Sequence, residues 1–437
     1  MHVVVLGGGS TGEAFVAALR RHDEDCDVTL VERRSVGGEC SYFACMPSKT
    51  LLRAPEVVAS AALAPGAQVG GIDAERVFWW RDQVTGRGDD SSQEEWLSSQ
   101  RVRLVRGSGR VARPGVLSVD GEELAFDRLV IATGSEPAVP PVEGLADVDY
   151  WTNREATTTS EVPESLVVVG GGPVGAELAQ FFRRMGSRVT VVDHSERLLA
   201  REDAQAGELL AEVFAQEGIE LVLGAAVERV EPGIRVVLGG GRILEAERLL
   251  VATGRRPNAE GFGFEQLGVE ISKRGIEVDE RLRAADGVWA IGDATGIAMF
   301  THVGKYQARI AAADMAGQDV RADYRAIPRS IFTDPQVAAV GRTQGDGLVS
   351  AQWKIESTSR TSTFERPKRP GFVKLVADPA RRVLVGAVAV GPEAGEWLQQ
   401  ICLAIRAEVP VDVLRDTIQP YPTFSEAIHF AARDLPL

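Results

Sequence analysis

Cysteine, histidine and positive charge are all scarce in this chain of 437 residues. Its four cysteines (Cys26, Cys40, Cys45, Cys402) are too few for the disulfide framework of a small secreted domain. The five histidines (His2, His22, His194, His302, His429) form no cluster with them, so no metal centre is expected. Lys and Arg number 48 against 62 Asp and Glu, a net charge of −14 with no basic tract, which argues against a nucleic-acid partner. No apolar run approaches the ~20 residues of a membrane-spanning helix, so no membrane role is expected. The chain opens on a β-branched run, "HVVVL", without the basic and apolar segments of a signal peptide. The expectation is a cytoplasmic protein.

Glycine, by contrast, is abundant at 46 residues, and the length calls for more than one domain. "HVVVLGGGSTGEAFVAALRR" reads as a strand, a glycine turn and an amphipathic helix, and "CDVTLVERR" supplies a second strand ending on Glu32. Gly7, Gly9 and Gly12 spell G-x-G-x-x-G, with Glu32 twenty residues beyond Gly12. In a βαβ unit the first glycine makes the tight turn, the second admits a pyrophosphate, and the third lets helix and strand pack closely. The acid then accepts from a ribose. The pattern recurs in "SLVVVGGGPVGAELAQFFRRMGSRVTVVDHSE", with Gly170, Gly172 and Gly175 and a terminal Asp193. Two fingerprints imply two dinucleotide sites, as an enzyme needs when one dinucleotide passes electrons to another.

Further stretches mark the joints. "DRLVIATGSEP" and "ERLLVATGRRP" are apolar strands ending in Ala-Thr-Gly, and "GVWAIGDATG" ends a strand on Gly292 and Asp293. From about Pro328 alternating strands and late helices suggest a separate α+β unit. The polar segment 85–100 reads as an exposed helix and loop.

"GGECSYFACMPSKTLL" sets Cys40 and Cys45 five residues apart. Zinc is disfavoured for want of further ligands, and a structural disulfide by the expected compartment. A redox dithiol is favoured. Pro47 suits the first turn of a helix, whose dipole at Cys45, aided by Lys49, favours a thiolate.

With "GGGSTG", "GGECSYFACMPSK", "GGGPVGAE", the two "ATG" segments, "AIGDATG", "FTDPQVAAVG" and "YPTFSE", the whole chain resembles the flavoprotein disulfide reductases, which include dihydrolipoamide dehydrogenase, glutathione reductase and mercuric reductase. The resemblance implies an α/β fold of two Rossmann-like dinucleotide-binding domains and a C-terminal α+β dimerisation domain. The expected divisions are an FAD-binding domain (1–148 and 259–326), an NAD(P)H-binding domain (149–258) and a dimerisation domain (327–437). It implies that Gly7, Gly9, Ser10, Gly12 and Glu32 hold the ADP half of FAD, with Thr133, Gly134, Gly292 and Asp293 on its other side. Segment 301–305, including His302, would approach the flavin's pyrimidine edge. Gly170, Gly172, Gly175, Asp193 and Gly254 would bind the nicotinamide dinucleotide, with NADH preferred over NADPH. Cys45 would face the flavin and Cys40 the acceptor, and Lys49 would sit against the flavin, paired with Glu177. The expected assembly is a homodimer whose tail completes its partner's site.

One position departs from the family pattern. Disulfide-reducing members end in a motif resembling H-P-T-x-S-E, whose histidine is the acid–base for thiol exchange. Here Tyr421 takes that place and Glu426 is retained. Phenols titrate near ~10 rather than ~6.5, so a tyrosine is a poor thiol base at neutral pH. Mercuric reductases also carry tyrosine there, but use a C-terminal cysteine pair that "FAARDLPL" lacks. The expected activity passes electrons from NAD(P)H through FAD and the Cys40–Cys45 disulfide to a small-molecule acceptor, quinone-like or a soft metal or thiol species. The alternatives are a dihydrolipoamide dehydrogenase-like or small-disulfide reductase working with Tyr421, and a slow redox-sensing flavoprotein.

Overall fold

The computed structural model describes residues 1–437. The chain divides into two compact units, one of residues 1–47, 80–138 and 255–323, the other of 48–79, 139–254 and 324–437.

In the first unit a six-stranded sheet runs in the order Arg283–Ala285, Val288–Ala290, Arg128–Ile131, His2–Leu6, Asp27–Glu32 and Val102–Arg106. All its neighbours are parallel except the first pair. The strand His2–Leu6 is central, and its Val3, Val4 and Val5 are wholly buried, as a strand covered on both faces requires. The helices Ser10–Arg20 and Thr301–Met315 pack on one face over Phe15, Val16, Ala308, Ala311 and Ala312.

Contact between those helices is close because small residues meet. A Cβ on Gly304 would stand 2.2 Å from Thr11 Oγ1. The helix Thr301–Met315 is thereby fixed along the first Rossmann helix, with Thr301 at its N-terminus 3.4 Å from Cys45 Sγ.

The second unit contains a four-stranded parallel sheet, in the order Glu220–Leu223, Arg188–Asp193, Ser165–Val169 and Arg248–Val251. The helix Pro173–Met185 buries Phe181 and Phe182 against it. A five-stranded antiparallel sheet follows from residue 328, in the order Pro328–Ile331, Gln336–Gly341, Val383–Gly391, Phe372–Asp378 and Val349–Lys354. One face of this sheet joins the core around Phe181 and Phe182 through Ile331, Val337, Phe372 and Val388. The other carries the late helices over Ile401, Ile405, Leu414 and Ile428. The segment expected to be helix and loop is a single 3₁₀ turn, Gly86–Gly88, and a helix, Ser91–Ser99.

No helix of the chain is long and apolar enough to cross a membrane.

Candidate functional site

The two glycine turns are built alike to within a few tenths of an ångström. Gly7 takes φ +113° and Gly170 φ +115°, a backbone region open to glycine. A Cβ on Gly7 would lie 2.2 Å from the Ala132 carbonyl oxygen, and one on Gly170 2.4 Å from that of Ala252. The two Ala-Thr-Gly segments are therefore the strand ends on which the glycine turns rest. The third glycines lock each turn to its helix, since a Cβ on Gly12 would meet Gly7 O at 2.1 Å and one on Gly175 would meet Gly170 O at 1.9 Å.

The second glycines differ from these. A Cβ on Gly172 would meet nothing within 4 Å, and one on Gly9 only Gly38 Cα at 3.9 Å. Gly9 and Gly172 are the N-caps of the helices Ser10–Arg20 and Pro173–Met185. A smooth backbone beside a helix N-terminus suits a pyrophosphate in each unit. The acids at the strand ends also match. Glu32 accepts from the amides of Gly8 (2.7 Å) and Arg34 (2.7 Å), and Asp193 from those of Gly171 (2.6 Å) and Ser195 (2.7 Å).

In the first unit Asp293 lies in the 3₁₀ turn that follows the strand Val288–Ala290. Its Oδ2 accepts from Ser135 Oγ at 2.6 Å, and Ser135 Oγ accepts from Arg255 Nε at 2.8 Å. Arg255 also reaches Glu39 at 3.6 Å. Burial pushes the Asp293 carboxyl above its ordinary range, opposed by the Ser135 hydrogen bond and the Arg255 charge. Asn258 and Thr133 clasp each other, Thr133 Oγ1 donating to Asn258 O at 2.6 Å and Asn258 Nδ2 to Thr133 O at 3.0 Å. Ser135, Arg255 and Glu39 escaped the sequence reading. The signal was present, for Ser135 and Arg255 each directly follow an Ala-Thr-Gly.

Cys40 and Cys45 stand near the starts of two helices. Cys45 is the first residue of the helix Cys45–Leu63, and Cys40 lies in the short helix Gly38–Tyr42. Cys45 Sγ is 3.4 Å from Thr301 Oγ1, at the N-terminus of the helix Thr301–Met315. The thiols of Cys40 and Cys45 are half-buried and hydrogen-bonded to each other. That hydrogen bond, followed by burial, holds the Cys40 thiol well above the ordinary cysteine range. Thr301 and Lys305 pull in the opposite direction. His302 is exposed and stacks on Phe300 at 5.3 Å.

In the second unit Lys49 Nζ donates to Glu177 Oε2 at 2.8 Å, and Glu177 Oε1 accepts from the Phe332 amide at 2.8 Å. Glu177 is buried, so both oxygens of its charge are satisfied by fixed donors. The expected pairing of Lys49 with Glu177 is thus present. Phe332, which opens the "FTDPQVAAVG" motif, lies under the lysine with its ring centroid 4.8 Å from Nζ.

Also in this unit, the Tyr421 side chain is 74% exposed. Glu426 opens the helix Glu426–Arg433 and accepts from the Thr423 amide at 3.3 Å. His429 is half-buried against Phe430, and its Nδ1 has no hydrogen-bond partner.

Residues 1–316 match the family model described as pyridine nucleotide-disulphide oxidoreductase, and residues 327–432 match the dimerisation domain of that family. A mercuric reductase of Acidithiobacillus ferrooxidans is 36% identical, over 99% of this chain and 82% of its own length. A dihydrolipoyl dehydrogenase of Thermus scotoductus is 32% identical, over 99% of this chain and 97% of its own. Among solved structures, LpdA of Mycobacterium tuberculosis superposes with a TM-score of 0.89 at 29% identity, over 99% of both chains.

Proposed function

The chain belongs to the pyridine nucleotide-disulphide oxidoreductase family, whose members are FAD-dependent oxidoreductases using a pyridine nucleotide, and from that premise we propose that it passes electrons from NADH through FAD and the Cys40–Cys45 pair to a quinone-like small molecule. FAD, when bound, supplies a two-electron carrier between the nicotinamide and the acceptor.

Gly7, Gly9, Ser10 and Gly12 are suited to hold its pyrophosphate and Glu32 its ribose, while Asp293, braced by Ser135 and Arg255, presents a carboxylate to the remaining hydroxyls. Gly170, Gly172 and Gly175 are suited to receive the nicotinamide dinucleotide, with Asp193 accepting from its ribose. Lys49 is a fixed cation whose position is set by Glu177. Cys45 keeps its sulfur at a helix N-terminus beside Thr301, and Cys40 is the sulfur that meets the acceptor. The segment matching the dimerisation domain supports a homodimer as the working assembly.

The choice of acceptor rests on Tyr421. A positioned acid–base contributes roughly 10² to 10⁴ to thiol exchange, and an exposed phenol whose neighbour Glu426 is bonded to its own loop is poorly suited to that role. A quinone takes up electrons without protonation of a leaving thiolate, so the absence of imidazole costs it little.

The test is steady-state NADH and NADPH oxidation with menadione, lipoamide, glutathione disulfide and Hg(II) as acceptors, for wild type and Cys40→Ser. The expected result is rapid menadione reduction that is largely lost in Cys40→Ser, with poor turnover of both disulfides, whereas a menadione rate that survives Cys40→Ser would mean that the quinone takes its electrons from the flavin directly. Disulfide turnover of roughly 10 s⁻¹ or more would favour a dihydrolipoamide dehydrogenase-like enzyme. Turnover confined to Hg(II) would favour a metal-ion reductase, and a protein with bound FAD but no turnover would favour a redox sensor.

A further inference from the structure

We propose that Lys305 makes the electron exit beside Cys40 selective for acceptors bearing negative charge, such as a carboxylate- or sulfonate-substituted quinone. The proposal rests on the reading of Cys40 as the sulfur that meets the acceptor.

The placement follows from one helix. Thr301 and Lys305 are four residues apart on the helix Thr301–Met315 and so share a face. Thr301 hydrogen-bonds to the cysteine pair, and the Lys305 ammonium, one turn further on, lies within Coulombic reach of Cys40. The face cannot rotate away. Gly304 is pressed against Thr11, and its backbone amide is tied to Phe300 O at 3.0 Å. Lys305 is exposed, so its charge faces whatever approaches from solvent. In a protein of net charge −14 this is a local reversal of sign.

The acids close enough to cancel that charge are otherwise engaged. Glu39, next to Cys40 in the chain, is paired with Arg255 at 3.6 Å. Glu13, in the first turn of the helix Ser10–Arg20, faces Lys305. Burial pushes its carboxyl up to about 7 despite the lysine, so near neutrality it carries only part of a charge. Tyr42, the other titratable group within reach of Glu13, has its phenol pushed up to about 12 by burial and then by Asp90 and is neutral. Of the two charges acting on Cys40, Cys45 opposes an anion there and Lys305 favours one, so removing Lys305 leaves only the opposing charge.

Charge-selective alkylation tests this without any acceptor. The holoenzyme is reduced with NADH and treated with iodoacetate or iodoacetamide, and labelling of Cys40 is followed by peptide mass spectrometry. Because both reagents attack the same thiolate, the ratio of their rates cancels the thiolate fraction and reports the local potential.

Lys305→Met should lower the iodoacetate-to-iodoacetamide ratio roughly three- to tenfold at low salt, an effect that about 0.5 M NaCl should largely erase. Lys305→Arg should keep the wild-type ratio, and Lys305→Glu should lower it further than Lys305→Met. Absorbance of bound FAD checks that each variant is folded. As the functional counterpart, kcat/KM for 1,4-naphthoquinone-2-sulfonate relative to menadione should fall in Lys305→Met by a similar factor.

Ratios that superimpose for wild type, Lys305→Met and Lys305→Glu would overturn the proposal, as would labelling of Cys45 alone. If the alkylation ratio responds while no quinone is reduced, it is the quinone reading that fails and the anion preference stands.

Discussion

In the proposed reaction, Tyr421 is the side chain on which the choice of acceptor turns. Tyr421→His, with Glu426 already adjacent in the turn, should raise lipoamide or glutathione disulfide turnover by at least an order of magnitude and leave menadione turnover little changed. An unchanged disulfide rate, measured as NADH oxidation, would show that the imidazole is not the missing element. Asp193 is the residue proposed to govern the choice of nicotinamide cofactor. Its carboxylate, fixed by the amides of Gly171 and Ser195, is suited to accept from a ribose 2′-hydroxyl and to repel a 2′-phosphate. kcat/KM should therefore favour NADH over NADPH, and Asp193→Ala should narrow the ratio. Glu13 adds a dependence on pH. Its carboxyl is raised in the folded state from an ordinary 4.5 to about 7, so folding takes up a proton between those values. The stability this provides is fully present below about pH 4.5 and is lost as pH rises through about 7. Glu13→Gln should accordingly gain in Tm over wild type at pH 8 and show no such gain at pH 4.5, by differential scanning fluorimetry of the holoenzyme.

Among the elements, the helix Thr301–Met315 connects the most. Its N-terminus meets Cys45, its second turn carries Lys305, and its small residues let it lie against the helix Ser10–Arg20. Gly304→Ala would put a methyl group 2.2 Å from Thr11 Oγ1, forcing the two helices apart. Overpacking of this kind costs roughly 1–3 kcal/mol, and the expected outcome is a lower Tm together with faster loss of FAD on dilution. Adding Thr11→Ala should restore much of the Tm. No recovery in the double variant would mean that the contact between Thr11 and Gly304 does not set the helix spacing.

At the scale of the whole molecule, the segment matching the dimerisation domain carries large apolar side chains that the single chain leaves exposed. Ile418 is 94% exposed, Leu403 66% and Val413 51%. Large exposed apolar groups in one region mark an interface. Light scattering should give a dimer, and Leu403→Glu with Ile418→Glu should shift it toward monomer with a loss of NADH oxidation activity. A monomeric wild type with full activity would refute the homodimer.

The sequence by itself determined the elements whose causes are local. The glycine spacing of Gly7, Gly9 and Gly12 and of Gly170, Gly172 and Gly175 dictated both dinucleotide turns, because only glycine tolerates φ near +115° with a carbonyl oxygen 2.2–2.4 Å from any added Cβ. Glu32 and Asp193 were legible for the same reason, as each closes the βαβ unit its own glycines open. What only the tertiary structure decided involves partners far apart in the chain. Glu39, Ser135, Arg255 and Asp293 form one polar chain across more than 250 residues, and neither periodicity nor spacing encodes a hydrogen bond of that range. The half-burial of His429 and the aromatic ring beneath Lys49 likewise depend on which surfaces fold together. Lys305 is the sharpest case. In the sequence it is the last residue of a segment expected near the flavin, and only the fold brings its charge within Coulombic reach of Cys40.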